Sequence, residues 1–81
     1  GNIIQIENGA FYKSINNIFV RNYVYHKAGI IKIRYVRIIL EIYNHFINNV
    51  IDGDGGALQA DRFIYFDNKN CFQTGMVVLC I

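Results

Sequence analysis

The chain of 81 residues resembles itself at a spacing of 27 residues, and this limits what it can fold into. Ile4-Gln5-Ile6-Glu7 recurs as Ile31-Lys32-Ile33-Arg34 and again as Leu58-Gln59-Ala60-Asp61. Each copy reads apolar, polar, apolar, charged, the pattern of a strand with one buried face. A turn former stands two residues before each copy: Asn2, Gly29 and Gly56. A second landmark keeps the beat. Asn17-Ile18-Phe19 matches Asn44-His45-Phe46 after 27 residues, and Asn70-Cys71-Phe72 follows after 26. Aligned without gaps, residues 3–29 and 30–56 agree at Ile3/Ile30, Ile4/Ile31, Ile6/Ile33, Ile15/Ile42, Asn17/Asn44, Phe19/Phe46, Asn22/Asn49 and Gly29/Gly56.

Periods of 20–50 residues mean stacked units. A unit of short strands and Asn/Gly turns fits one coil of a β-solenoid, with parallel strands about 4.8 Å from the next coil. The repeats are expected at 3–29, 30–56 and 57–81, in one domain. Phe19, Phe46 and Phe72 are then expected to form an internal aromatic column. Asn17, Asn44 and Asn70 are expected to form an amide ladder at a bend. Composition agrees. Fifteen Ile favour strands, ten Asn favour turns, and Pro and Trp are absent. Apolar residues reach 53% and charged ones only 17%, which excludes intrinsic disorder as the main state.

The stretch Leu40 to Leu58 carries Phe46-Ile47-Asn48-Asn49 and Gly55-Gly56-Ala57-Leu58. This pairing resembles the F-x-x-N and G-G-A-[apolar] repeats of the chlamydial polymorphic membrane protein family. Similar repeats occur in large Asn-rich surface proteins of protists. Phe19-Val20-Arg21-Asn22 shares F-x-x-N, and Asn8-Gly9-Ala10-Phe11 and Asn70-Cys71-Phe72 are degenerate echoes. The first repeat has Ala28-Gly29-Ile30-Ile31 in place of G-G-A-[apolar], and the third reads Phe72-Gln73-Thr74-Gly75 without the Asn. The resemblance implies a right-handed parallel β-helix of the pectin-lyase-like kind, here about three coils. It implies an adhesin-like, membrane-associated surface protein with no cofactor and no catalytic residues.

The rival for the middle of the chain is a helix over 33–51. Ile33, Val36, Leu40, Tyr43, Ile47 and Val50 fall at spacings of three and four. Against it, Ile38, Ile39, Ile42 and Phe46 lie off that stripe, and β-branched residues crowd the segment. A central helix would make the chain a small α/β binding domain, with a calcium-loop-like turn at 52–61. Asp52, Asp54 and Asp61 are the metal candidates. They match positions 3, 5 and 12 of an EF-hand loop, but Val50 stands at position 1 and offers no side-chain ligand. The plainer reading is a tight Asp/Gly turn.

A third reading is a fragment of a polysaccharide-acting β-helix enzyme. Its chemistry needs Asp, Arg or Lys converging on one face, and Glu7, Arg34 and Asp61 would be stacked outward neighbours. A column of acid, base and acid is more simply an attractive ladder. His45 sits at a variable position beside the Phe, and His26 is the other histidine. Packing or surface roles suit both better than catalysis. Arg21, Lys27, Lys32, Arg34 and Arg37 with Tyr23, Tyr25 and Tyr35 could neutralise and stack nucleic acid, but read as solvated strand positions.

Residues 1–37 hold six Lys/Arg and one acid, while 38–81 hold two and five. The net charge of +2 is too small for a nucleic-acid partner. The spacing of Cys71 and Cys80 matches no zinc pattern, and leaves open a disulfide or two buried thiols. There is no uncharged apolar run long enough to be a membrane span. The chain begins at Gly1 and ends on Met76–Ile81, so we read it as a piece of a longer protein. The expected role is a non-catalytic structural and adhesive segment, extracellular or on the cell surface. Its expected partners are neighbouring coils and a host-cell, glycan or protein ligand. Phe46→Asp would strand a charge in the central coil. It should abolish the β-type circular dichroism of the parent, and a variant that melts like the parent would remove Phe46 from the core.

Overall fold

The computed structural model describes residues 2–25, 29–52 and 56–81, and they are all-β. The strands are β1 (Ile4–Ile15), β2 (Ile18–Val20), β3 (Tyr23–Val24), β4 (Ile31–Ile47), β5 (Val50–Ile51), β6 (Leu58–Asp61), β7 (Tyr65–Thr74) and β8 (Val77–Cys80). A mixed sheet runs β1-β4-β7-β8, with β2 and β6 also paired to β4; β3 and β5 form a separate two-stranded sheet. No helix occurs among the described residues, so the central helix over 33–51 is corrected to β4 and β5. The α/β binding domain built on that helix falls with it.

The strand register carries the sequence period. Ile4 pairs with Ile31 and Ile31 with Leu58; Tyr23 pairs with Val50. Phe19 pairs with Phe46 and Phe46 with Phe72. All these pairings are parallel, so the three described segments lie as three layers. Loop carbonyls follow the same beat: Ile30 O accepts the amides of Ile3 and Ile4, and Ala57 O those of Ile30 and Ile31. One register shift breaks the period. Between Ile42 and His45 the middle layer has one residue more than the third, a β-bulge.

Burial follows from the layering. Ile31, Ile33, Val36, Ile39 and Phe46 of the middle layer are buried, with neighbours above and below. Their counterparts Ile4, Ile6, Tyr12 and Phe19 in the first layer, and Leu58, Ala60, Phe66 and Phe72 in the third, are half-buried. The Phe19 and Phe46 rings stack at 4.9 Å, and Phe46 and Phe72 at 5.0 Å. Stacked aromatic pairs add about 0.5–1.5 kcal/mol beyond the area they bury.

The helical stripe is not the observed inward face: of its six residues only Ile33 and Val36 are buried, while Ile39 and Phe46, off the stripe, are buried. β4 does not alternate evenly, because Tyr35 and Tyr43 take left-handed backbone, both at φ 58°. The kinks reset the alternation between Ile33 and Val36 and between Glu41 and Asn44, and the inward residues of β4 are Ile31, Ile33, Val36, Ile39, Glu41, Asn44 and Phe46. The kinks also stack. Asn8, Tyr35 and Arg62 share positive φ at successive layers, as do Asn16 and Tyr43.

Left-handed backbone disfavours bulky and β-branched residues. Tyr43 is exposed, so its side chain gives little packing in return. Tyr43→Val should therefore lower stability in urea unfolding, although Val is a good strand former. Tyr43→Gly should cost less than Tyr43→Val.

Candidate functional site

At the bend between β1 and β2, and again within β4 and β7, the chain turns and leaves main-chain amides without a strand partner. Asn side chains from the next layer fill that need. Asn44 is completely buried. Its Oδ1 accepts from the Asn17 main-chain N–H at 2.8 Å and from Ser14 Oγ at 3.3 Å. Its Nδ2 donates to the Ser14 carbonyl and to Glu41 Oε1, each at 2.9 Å. Its own main-chain N–H donates to Asn70 Oδ1 at 3.0 Å. The expected Asn17/Asn44/Asn70 ladder is thus built from amide side chains bonding the main chain of the layer before.

The Asn of F-x-x-N works the same way. Asn49 Oδ1 accepts from Asn22 N and Nδ2 at 2.9 and 3.0 Å, and its Nδ2 donates to the Phe19 carbonyl at 2.8 Å. Asn2 Oδ1 receives the Gly29 N–H at 2.8 Å. These spacings of 27 and 30 residues give physical content to the motif. Phe fills the interior, and three residues on, Asn joins one layer to another.

Beside Asn44 lies a residue that the motif search passed over. Glu41 is completely buried, faces Ser14 and Asn68 in register, and accepts from Asn44 Nδ2 at Oε1. Its Oε2 lies buried without a hydrogen-bond partner. Burial pushes its carboxyl from 4.5 up to about 7, against the opposite pull of the Tyr12 and Ser14 hydroxyls. Tyr12 is pushed up to about 12, first by burial and then by the Glu41 charge. The available signal was a column of polar residues, Ser14, Glu41 and Asn68, three positions before the column of Asn17, Asn44 and, one residue closer, Asn70.

Of the sequence candidates for metal, Asp52 and Asp61 lie among the described residues. Asp52 is exposed, and its main-chain N–H donates to the Val24 carbonyl at 2.7 Å. Asp61 ends β6 and lies 3.7 Å from Arg34 Nε. Asp54 lies outside the described residues, as do His26 and Lys27. No cluster of three or more His, Cys, Asp or Glu side chains occurs among the described residues. The acid–base–acid column is in register, Glu7 with Arg34 and Arg34 with Asp61. Its contacts are uneven: Arg34 pairs with Asp61, while Glu7 accepts from Gln5. Arg34 and Arg62 also lie against the Tyr35 ring, 5.3 and 5.9 Å from its centroid.

Cys71 and Cys80 face each other across the antiparallel β7–β8 pair and form a disulfide. Gly75, at φ 59°, opens the two-residue turn between them, the place where such hairpins want glycine. Outward, Phe11, Ile38 and Tyr65 stack in register and are exposed. A shallow groove of about 350 Å³ beside them is lined by Ala10, Phe11, Arg37, Ile38 and Ile64. No helix is long and apolar enough to cross a membrane among the described residues.

Compared with protein-family models, curated proteins and solved structures, the chain matches none. Asn44→Ala removes partners from the Asn17 amide, the Ser14 carbonyl and Glu41 together. At about 1–3 kcal/mol for each buried group left unpaired, the loss should be at least about 3 kcal/mol, read from urea unfolding.

Proposed function

We propose that the chain is a segment of about three coils of a right-handed parallel β-helix, serving as a rigid structural and adhesive element of a surface or secreted protein. The observation that carries this reading is the coincidence of three things at one period. Parallel strand pairing, the Phe19/Phe46/Phe72 stack and the Asn17/Asn44/Asn70 ladder all recur at 26 or 27 residues. Stacked coils of a solenoid produce that coincidence, because each coil offers the same side chain to the next. The resemblance to the F-x-x-N and G-G-A-[apolar] repeats of chlamydial polymorphic membrane proteins has the same origin. Its Phe and Asn are the residues that join the layers.

The mechanism is passive. Inward groups hold the coils, and outward groups meet a partner: neighbouring coils of a longer chain at the ends, and a glycan or protein ligand along the side. The Phe11/Ile38/Tyr65 column with its groove is the surface best suited to such contact. Exposed aromatic residues offer large, rigid contact area at low entropy cost. The disulfide supports an oxidising compartment, as outside a cell.

The test uses the chain with its natural flanks. Protease added to intact cells should remove its epitope. Phe11→Ser with Tyr65→Ser should weaken binding to host cells or to immobilised glycans at least about tenfold, a loss of roughly 1.4 kcal/mol, with the melting curve unchanged. An epitope that survives on intact cells would overturn the surface reading. Binding that ignores the double variant would overturn the assigned contact face.

A further inference from the structure

The Cys71–Cys80 disulfide holds a strand that little else holds, and the structural and adhesive reading uses the bond only as a sign of compartment. We propose that β8 is a redox-controlled cap on the edge of the third layer: the disulfide keeps it closed, and a dithiol reductant opens it.

β8 is not a fourth layer. The three layers pair in parallel, whereas β8 runs antiparallel to β7 and covers only Cys71–Thr74. Among the described strands it pairs with β7 alone. Its side chains add little. Val77, Val78 and Leu79 are 72, 57 and 66% exposed, and Cys80 is exposed as well. Two strands joined by a turn are marginal in water without a buried face.

The two ends of this hairpin are held differently. At the turn, the Gly75 N–H donates to Asn48 Oδ1 at 2.8 Å, and Gln73 Nε2 donates to the Gly75 carbonyl at 2.9 Å. At the other end stand the disulfide and the bond from the Ile81 N–H to the Asn70 carbonyl, at 2.9 Å. That bond sets the alternation of the antiparallel ladder. Cys71 and Cys80 form the pair without main-chain bonds, and Phe72 and Leu79 exchange theirs. Cutting the disulfide therefore frees the Leu79–Ile81 end while the turn stays anchored.

A thiolate of the dithiol attacks the sulfur of Cys80, which is exposed where Cys71 is half-buried, and the S–S bond breaks. The second thiol of the reductant then closes its own disulfide. Two electrons pass from the dithiol to the bond, and Cys71 and Cys80 end as thiols. Opening bares the main chain of Phe72, at the outer end of the aromatic column. An uncovered strand edge is a template for pairing with another strand, and the closed cap denies it.

Amide hydrogen exchange at one pH, with and without dithiothreitol, tests this. In the reduced chain, protection of Leu79 and Ile81 should fall at least about tenfold, within the scale on which a disulfide stabilises. Ile33 and Phe46, in the middle layer, should keep their protection. Cys80→Ser should exchange like the reduced chain and ignore the reductant. Equal protection of Leu79 and Ile81 in both states would overturn the cap. So would a loss shared by Ile33 and Phe46, because the bond would then hold the whole fold. If Cys80→Ser fails to fold, the reduced parent decides the matter. Failure here would leave the surface reading intact, since that rests on the layers and on the Phe11, Ile38 and Tyr65 face.

Discussion

The buried amide of Asn44 is the interaction on which the structure most depends. Parallel pairing satisfies the main chain along straight strands, but every bend interrupts it. A bend inside a stack cannot turn to water for its missing partners. Asn answers both needs with one side chain, because its amide offers donors and an acceptor like those of a peptide bond. Asn44 thus lets the middle layer bend while it stays bonded to the first, and its own N–H hands the bond on to Asn70. Phe46 can then lie flat between Phe19 and Phe72, because the bends hold the layers at one spacing. Apolar stacking supplies the driving force, and the amides set where it acts.

Much of this was legible in the chain. The period of 27, the aromatic column and the amide ladder follow from residues that differ sharply from their neighbours. Asn and Phe at fixed spacing leave few alternatives. The false helix arose in the same segment, where left-handed residues at Tyr35 and Tyr43 interrupt the period of two that would have marked β4 as a strand. Tyrosine carries no signal for that backbone, whereas Asn8 and Asn16 at the matching positions do. Glu41 was missed for a different reason. A charged residue in a strand reads as outward-facing, and only its place between Ser14 and Asn68 marks it as inward. The cysteines could not be settled by spacing alone. What decides them is Gly75, which turns β8 back on β7 and puts Cys80 opposite Cys71.

The division between inside and outside also explains the charges. Arg34, Asp61 and Arg62 gather around the kink at Tyr35, where the corner carries side chains outward. Such partly exposed pairs contribute little to stability, about 0–1 kcal/mol. They keep the corner soluble while the flat face beside it stays apolar at Phe11, Ile38 and Tyr65.

The register shift between Ile42 and His45 has a consequence for how such a chain can change over time. The third layer has one residue fewer than the middle one there, yet Phe72 still lies on Phe46 and Asn70 still receives Asn44. The extra length sits at the outward kink of Tyr43, clear of both columns. Insertions and deletions at that corner are therefore nearly silent to the interior. A lineage can lengthen or shorten individual turns there, and so reshape the outer contour, without relearning how its layers fit together.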